Sequence, residues 1–469
     1  MNNLMNNIKK CNNLVKVKLR TTDEEISIID IKNNCKCINN IKYKLIYCEN
    51  YTDFKQLNER NLILTSGYEY VFNNQLNILI NHDLIQNLII DSKIVNYPSG
   101  FCSNCLQISA VHVNSKCNVS NGMFTNCKKL KSVVFNKSIK QIGKNCFCNC
   151  QNLTNVCLPI GLKELYKSTF SNCTNLMSLN LPIGVTRIGK YCFENCKKLV
   201  DINLQFIKQI DEFAFINCES ITKLNLINCE TLNESSFSNC TSLENVDFGP
   251  NLKTIPKQCF VNCKSLTSIN LVNCLNINDL AFKNCTNLVK LAFEHNDFIN
   301  LGKSSFENCT NLKYVEANII KIEDRTFYNC QRLEIQMNNI QYIGTLSFYN
   351  CLSLNKLDLS NLKTVRTGSF KNCKNLNEVI LNNELQYLSD EMFKNCENLE
   401  SINVYCVTEI GKNCFENCGL NTINLLNVDL IMDEAFKSCK KLQTVKVKLS
   451  SLTTDVFTNC NELINLELN

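Results

Sequence analysis

Apolar residues recur along most of this chain at a fixed step of about 22 residues, and each recurrence has the same internal pattern. Phenylalanines stand at 124, 147, 170, 193, 215, 237, 260, 282, 306, 327, 348, 370, 393, 415, 436 and 457, spaced by 21 to 24 residues. A cysteine follows each by three positions, from Cys127 to Cys460, and an asparagine precedes that cysteine everywhere except at Ser438. From the cysteine onward the pattern is Cys-x-x-Leu-x-x-apolar-x-apolar, as in Cys173, Leu176, Leu179 and Leu181. The last two apolar positions alternate with polar ones, which predicts a strand with one buried face. A second apolar pair follows, such as Val185 and Ile188, and then a small residue and the next Phe. One coil therefore reads strand, turn, short extended segment, tight turn.

A fixed period of this length is the signature of a solenoid, because one such coil cannot bury its own Leu and Phe. Stacking places Leu over Leu and Phe over Phe, with strands paired in parallel about 4.8 Å apart. The predicted fold is a right-handed superhelix of about 22-residue coils with a parallel strand ladder. It is mostly β, with room for short turns or single helical turns. The repeat fills 101–469 with about 17 coils, and residues 1–100 read as degenerate N-terminal coils or a cap, with a separate small domain as the alternative. Asn in the tight turn suits left-handed backbone, and the Asn column predicts a buried amide ladder between coils.

Leu176–Cys196 (LMSLNLPIGVTRIGKYCFENC) and Leu153–Cys173 resemble the BspA-like leucine-rich repeat, with Pro159 and Pro182 at the family's proline position. That resemblance covers about 101–469 and implies a leucine-rich repeat solenoid. Adhesion to a host or matrix protein, on a cell surface, is what it implies about function.

Composition narrows the chemistry. Net charge is +6, from 49 basic and 43 acidic residues that are interspersed, so no nucleic-acid surface is indicated. The N-terminus shows no secretory signal, and no apolar stretch is long enough to span a bilayer. The expectation is a cytoplasmic protein without membrane insertion, with non-classical export to the cell surface as the alternative. Of 32 cysteines, sixteen occupy the repeat column and are expected to be reduced and buried. Cys102, Cys105 and Cys117, and Cys35, Cys37 and Cys48, are the groups to weigh as zinc ligands. Cys102 and Cys105 already fit the Phe and Cys columns, so no metal and no cofactor is expected.

Histidine occurs only at 82, 112 and 295. His112 and Cys157 share an outward strand column two coils apart, too far for a nucleophile and its base. No phosphate-binding glycine loop or catalytic motif occurs, and no catalytic residue is expected. What remains is surface. Between the last two apolar positions of each strand stand Asn180, Asn203, Asn225, Asp247 and Asn270, with Asp201, Lys223 and Asn245 beside them. This polar ribbon is the candidate face for a protein or peptide partner. Its competitor is a solvated amide ladder of no function beyond stacking. Binding hot spots favour Trp, Tyr and Arg, and on this face only Tyr314 and Tyr405 qualify. The strand at 460–469 has no further coil beyond it. Self-association through that edge, and hence a self-assembling rod, is the alternative to a non-catalytic binding scaffold.

Overall fold

In the computed structural model, residues 61–64, 87–90 and 99–468 are described, apart from 272, 294–297 and 454. The chain forms two compact units, Met1–Ile221 and Thr222–Asn469. In each, the described residues form a stack of the predicted coils. In the first unit the strands Asn61–Leu64, Asn87–Ile90, Ala110–Val113, Ser132–Phe135 and Asn155–Cys157 make one parallel sheet. A second ladder, Glu164–Leu165, Arg187–Ile188 and Gln209–Ile210, follows the second apolar pair of each coil. The second unit repeats both features, as in Lys223–Leu226 beside Asn245–Phe248 and Thr254–Ile255 beside Asn276–Ile277. Among the described residues the helical content is one 3-10 turn, Leu449–Ser451. Apart from strands 61–64 and 87–90, the expectation for residues 1–98 lies outside the described residues.

Register follows from burial. Strands such as Lys223–Leu226 and Ser268–Leu271 alternate exposed and buried, and each buried residue meets its equivalent one coil on. A slip of one residue would turn every apolar side chain to water, so the pattern itself fixes the pairing. The Phe column is fully buried from Phe124 to Phe436. In the first unit successive rings from Phe124 to Phe215 lie 5.0 to 5.6 Å apart and nearly parallel. In the second the spacing from Phe237 to Phe457 is 5.1 to 5.7 Å. These are offset stacks, a favourable geometry for aromatic rings.

The tight turn holds two left-handed residues per coil. One is the Asn two places after Phe, at φ near +60°, as in Asn172 (61°) and Asn308 (63°). The other lies two places before Phe and takes Ser304, Leu346 or Glu391, among others. The left-handed state costs most residues with a Cβ about 1–2 kcal/mol, and Asn less than most. The Asn side chains form the expected ladder. Most of these amides donate to the Asn side-chain oxygen of the preceding coil, as in Asn149 to Asn126 (2.7 Å), Asn284 to Asn262 (2.8 Å) and Asn308 to Asn284 (2.9 Å), whereas Asn172 donates to the Ser171 hydroxyl. The expectation of burial was wrong. The Asn column is half-buried, because the turn it serves lies on the outer rim of the coil.

The cysteine column forms a second ladder that the sequence reading did not contain. From Cys150 onward the Sγ typically donates to the Phe carbonyl of the preceding coil, for example Cys150 to Phe124 (3.1 Å), Cys309 to Phe282 (3.1 Å) and Cys373 to Phe348 (3.1 Å), and Cys127 donates to the carbonyl of Cys102 in the same way. The carbonyl of Phe147 also accepts the Cys150 N–H at 3.1 Å, so both its lone pairs are used. The thiol must stay protonated to donate. Burial holds it so, and the Cys373 thiol is pushed up to about 12. Cys102 sits in the Phe column and Cys105 in this thiol column, both buried, while Cys117 is half-buried against the Ser115 hydroxyl at 2.8 Å. Cys35, Cys37 and Cys48 lie outside the described residues.

Two outcomes follow. Asn308→Gly keeps the left-handed turn and loses two ladder bonds, whereas Asn308→Ala also meets backbone strain. Alanine should therefore be the less stable by about 1–2 kcal/mol in denaturant midpoints; an alanine variant at least as stable as the glycine one would contradict this turn chemistry. With its pKa pushed up to about 12, the Cys373 thiol stays protonated at pH 8. Iodoacetamide, mapped by mass spectrometry, should label the exposed Cys157 and Cys406 and spare the buried column thiols from Cys127 to Cys439 until the protein unfolds, while the half-buried Cys460 at the end of the column is not among those protected. Equal labelling of both groups would show that the column is not closed.

Candidate functional site

The strands present one face to the core and the other to solvent, so each ribbon residue can be placed. On the first unit, Asp201 pairs in register with Ser178, and Asn180 and Asn203 follow directly after those two strands. On the second, Lys223 pairs with Asn245 and Asn225 with Asp247, and Asn270 lies on Ser268–Leu271 opposite Ala292. All eight side chains are exposed. In-register parallel strands place equivalent residues about 4.8 Å apart, so on each unit they form a continuous polar row.

Two of the amides have a local task. The Asn203 carboxamide oxygen accepts the Gln205 N–H at 3.0 Å, and that of Asn225 accepts the Ile227 N–H at 3.3 Å. Asp358 and Asn424 do the same for Ser360 and Leu426. These are Asx turns that end the strand, a use that explains part of the column without any partner. The signal was present in the sequence, since the amide stands where the strand must turn. Asp201, Lys223, Asn245 and Asp247 have no such bond among those identified in the structure.

Further along the second unit the same face is a lattice of ion pairs between neighbouring coils: Lys290–Glu316 (2.9 Å), Lys313–Glu334 (3.3 Å), Lys356–Glu378 (2.7 Å) and Lys446–Glu467 (3.0 Å). Exposed pairs of this kind contribute little to stability. Tyr314 and Tyr405 are exposed there as expected, Tyr405 at 68%. The Lys313 ammonium lies 4.7 Å from the Tyr314 ring centre, and Tyr314 and Glu334 together raise its pKa.

Register puts Val134 between His112 and Cys157, which keeps the two reactive groups two coils apart. His82 and His295 lie outside the described residues. Among the described residues no three metal-ligating side chains converge, and no helix is long and apolar enough to cross a membrane.

The BspA type leucine rich repeat region matches at residues 117–240, 208–334, 314–420 and 404–469. No curated protein matches. Among solved structures, a leucine-rich repeat protein from Bacteroides ovatus is similar at 18% identity, with 82% of this chain and 92% of that one covered and a TM-score of 0.51. A leucine rich cell surface protein from Faecalibacterium prausnitzii aligns at 20% identity over 82% of this chain and 88% of that one, with a TM-score of 0.37. The pneumococcal vaccine antigen PcpA aligns at 16% over 82% and 85%, also at 0.37. The first of these supports the fold; the repeat match spans most of the chain. This protein belongs to the BspA-type leucine-rich repeat family.

Proposed function

We propose that this protein is a non-catalytic binding scaffold whose exposed strand face recognises an extended protein or peptide. The observation that carries this is the surface of the strands themselves. In Lys223–Leu226, Asn245–Phe248 and Ser268–Leu271 every second side chain is buried and every other one is polar and exposed. Such a row offers hydrogen-bond donors, acceptors and isolated charges at regular spacing, which suits a partner lying along it. Asp201 on the first unit and Asp247 on the second are the groups through which charge would enter recognition.

Ligands selected from a displayed peptide library on the intact protein give the test. Asp201→Lys and Asp247→Lys, made separately, should each weaken those bound on that unit by about tenfold or more, with unchanged thermal unfolding. Selected ligands that bind both variants as they bind the parent would remove this face from consideration.

A second reading, self-association, is favoured by one observation. On the strand Asn465–Leu468 every side chain is exposed, and Ile464 beside it is 86% exposed, with Leu466 and Leu468 near half. An apolar strand edge of this kind pairs readily with a second copy. Sedimentation velocity at high micromolar concentration should show a concentration-dependent larger species that Ile464→Lys with Leu466→Lys abolishes. A parent protein that stays monomeric there would contradict it.

A further inference from the structure

In the second unit the coil that follows Tyr314–Glu316 lacks its strand. The coil from Cys309 places Leu312 and Val315 in the core, three and six residues on. The coil from Cys330 buries Leu333 three residues on, but then Met337 at seven, with Ile335 half-buried at five. The apolar phase has slipped by one residue, and a slip of one exchanges the two faces of a strand. Residues 334–337 accordingly form no strand. They meet Tyr314–Glu316 through a single bridge, Tyr314 to Glu334, and one bond from the Glu334 N–H to the Lys313 carbonyl at 2.8 Å. The ladder resumes at Lys356–Leu359.

Beside this slip lies a half-open pocket of about 690 Å³ on the strand face. That volume falls in the range of small-ligand sites. Its walls combine apolar surface from Phe293, Tyr314, Ala317 and Ile335 with the carboxylates of Glu316 and Glu334, and among the described residues no cationic side chain lines it. Lys290 and Lys313 reach those carboxylates from outside the lining, at 2.9 and 3.3 Å. Both carboxylates remain about half exposed.

We propose that this cavity is a subsite for an arginine side chain presented by a protein or peptide partner. An aliphatic stem would pack on Ile335, Ala317 and Phe293 while its charged end stays among polar groups. A guanidinium is planar, so it can lie against the Tyr314 ring and direct paired N–H groups at Glu316 and Glu334 together. The chain's own Lys313 already shows the attraction, with its ammonium over that ring and paired with Glu334. A lysine from a partner would bring only a point charge and would compete with Lys313 on equal terms. The subsite rests on the binding-scaffold reading, but it is built from residues other than the polar ribbon. Charge reversal at Asp201 and Asp247 tests the ribbon, so the two can fail separately.

The test titrates the intact protein, methyl-labelled at Ile and Ala, with blocked Gly-Arg-Gly, Gly-Lys-Gly and Gly-Glu-Gly tripeptides. The arginine peptide should give saturable NMR shifts at Ile335 and Ala317. The lysine peptide should bind at least about fivefold more weakly and the glutamate peptide not at all. Glu316→Gln with Glu334→Gln should abolish the response while the Ile410 methyl signal, in a distant coil, stays in place and reports an intact fold. No saturable shift, an equal response to the lysine or glutamate peptide, or an unchanged response in the folded double variant would each overturn the assignment.

Discussion

No coil of this protein can satisfy its own core, and that constraint organises everything else. Phe147 has one ring face on Phe124 and the other on Phe170. Its carbonyl holds the N–H of Cys150 in its own coil and the thiol of Cys173 in the next. Asn195 takes its place in the same way, donating to Asn172 and accepting from Asn217. Rings, thiols and amides thus run as three parallel columns, and each residue in them is complete only with neighbours on both sides. Stability of this kind is a sum of nearest-neighbour terms.

The same constraint separates structure from function. Columns that close the stack tolerate little change, whereas the outward strand positions are free to vary, and they range from Asn225 to Asp247 to Ile380. Where the apolar phase holds, the outer face is a regular row of exposed side chains, polar at most positions. Where it slips, between Val315 and Met337, the stack stays closed through Phe306, Phe327 and Phe348 but the strand face opens. A ring column continuous past a broken strand ladder shows that the two sides of a coil can be altered independently, which lets a recognition feature arise without loss of the core.

Much of this was legible because it repeats. Leu176 and Leu179 announce a strand, although at this coil it ends at Leu179 and leaves Leu181 half-buried outside it, and sixteen repeats of Phe and Cys leave no other fold open. What was missed has physical reasons. The Asn amides were expected inside, because a periodic polar residue next to a core cysteine looks enclosed; the turn instead carries them to the rim. The second left-handed position has no residue signature, since Leu346, Ser304 and Glu391 all occupy it. Another pattern spans two coils and is invisible within one: Asp324 accepts the Thr345 N–H at 2.9 Å and Asp390 the Lys412 N–H at 2.8 Å. In each case the coil above carries Gly344 or Gly411, where a Cβ would strike the Asp backbone. Of the candidate site, exposure was readable from alternation, but the use of Asn203 and Asn225 to end their strands required the turn geometry. The cavity at Glu316 and Glu334 was hidden because a phase slip of one residue leaves the Phe and Cys markers in place.

Native-state hydrogen exchange on Phe306→Ala tests the nearest-neighbour account most directly. Removing a fully buried Phe costs about 3–5 kcal/mol. If the columns carry the fold, protection should fall at the coils of Phe282 and Phe327, which stack on that ring, and stay at parent level at the coil of Phe415. A uniform loss of protection across the second unit, or none beyond the substituted coil, would contradict it.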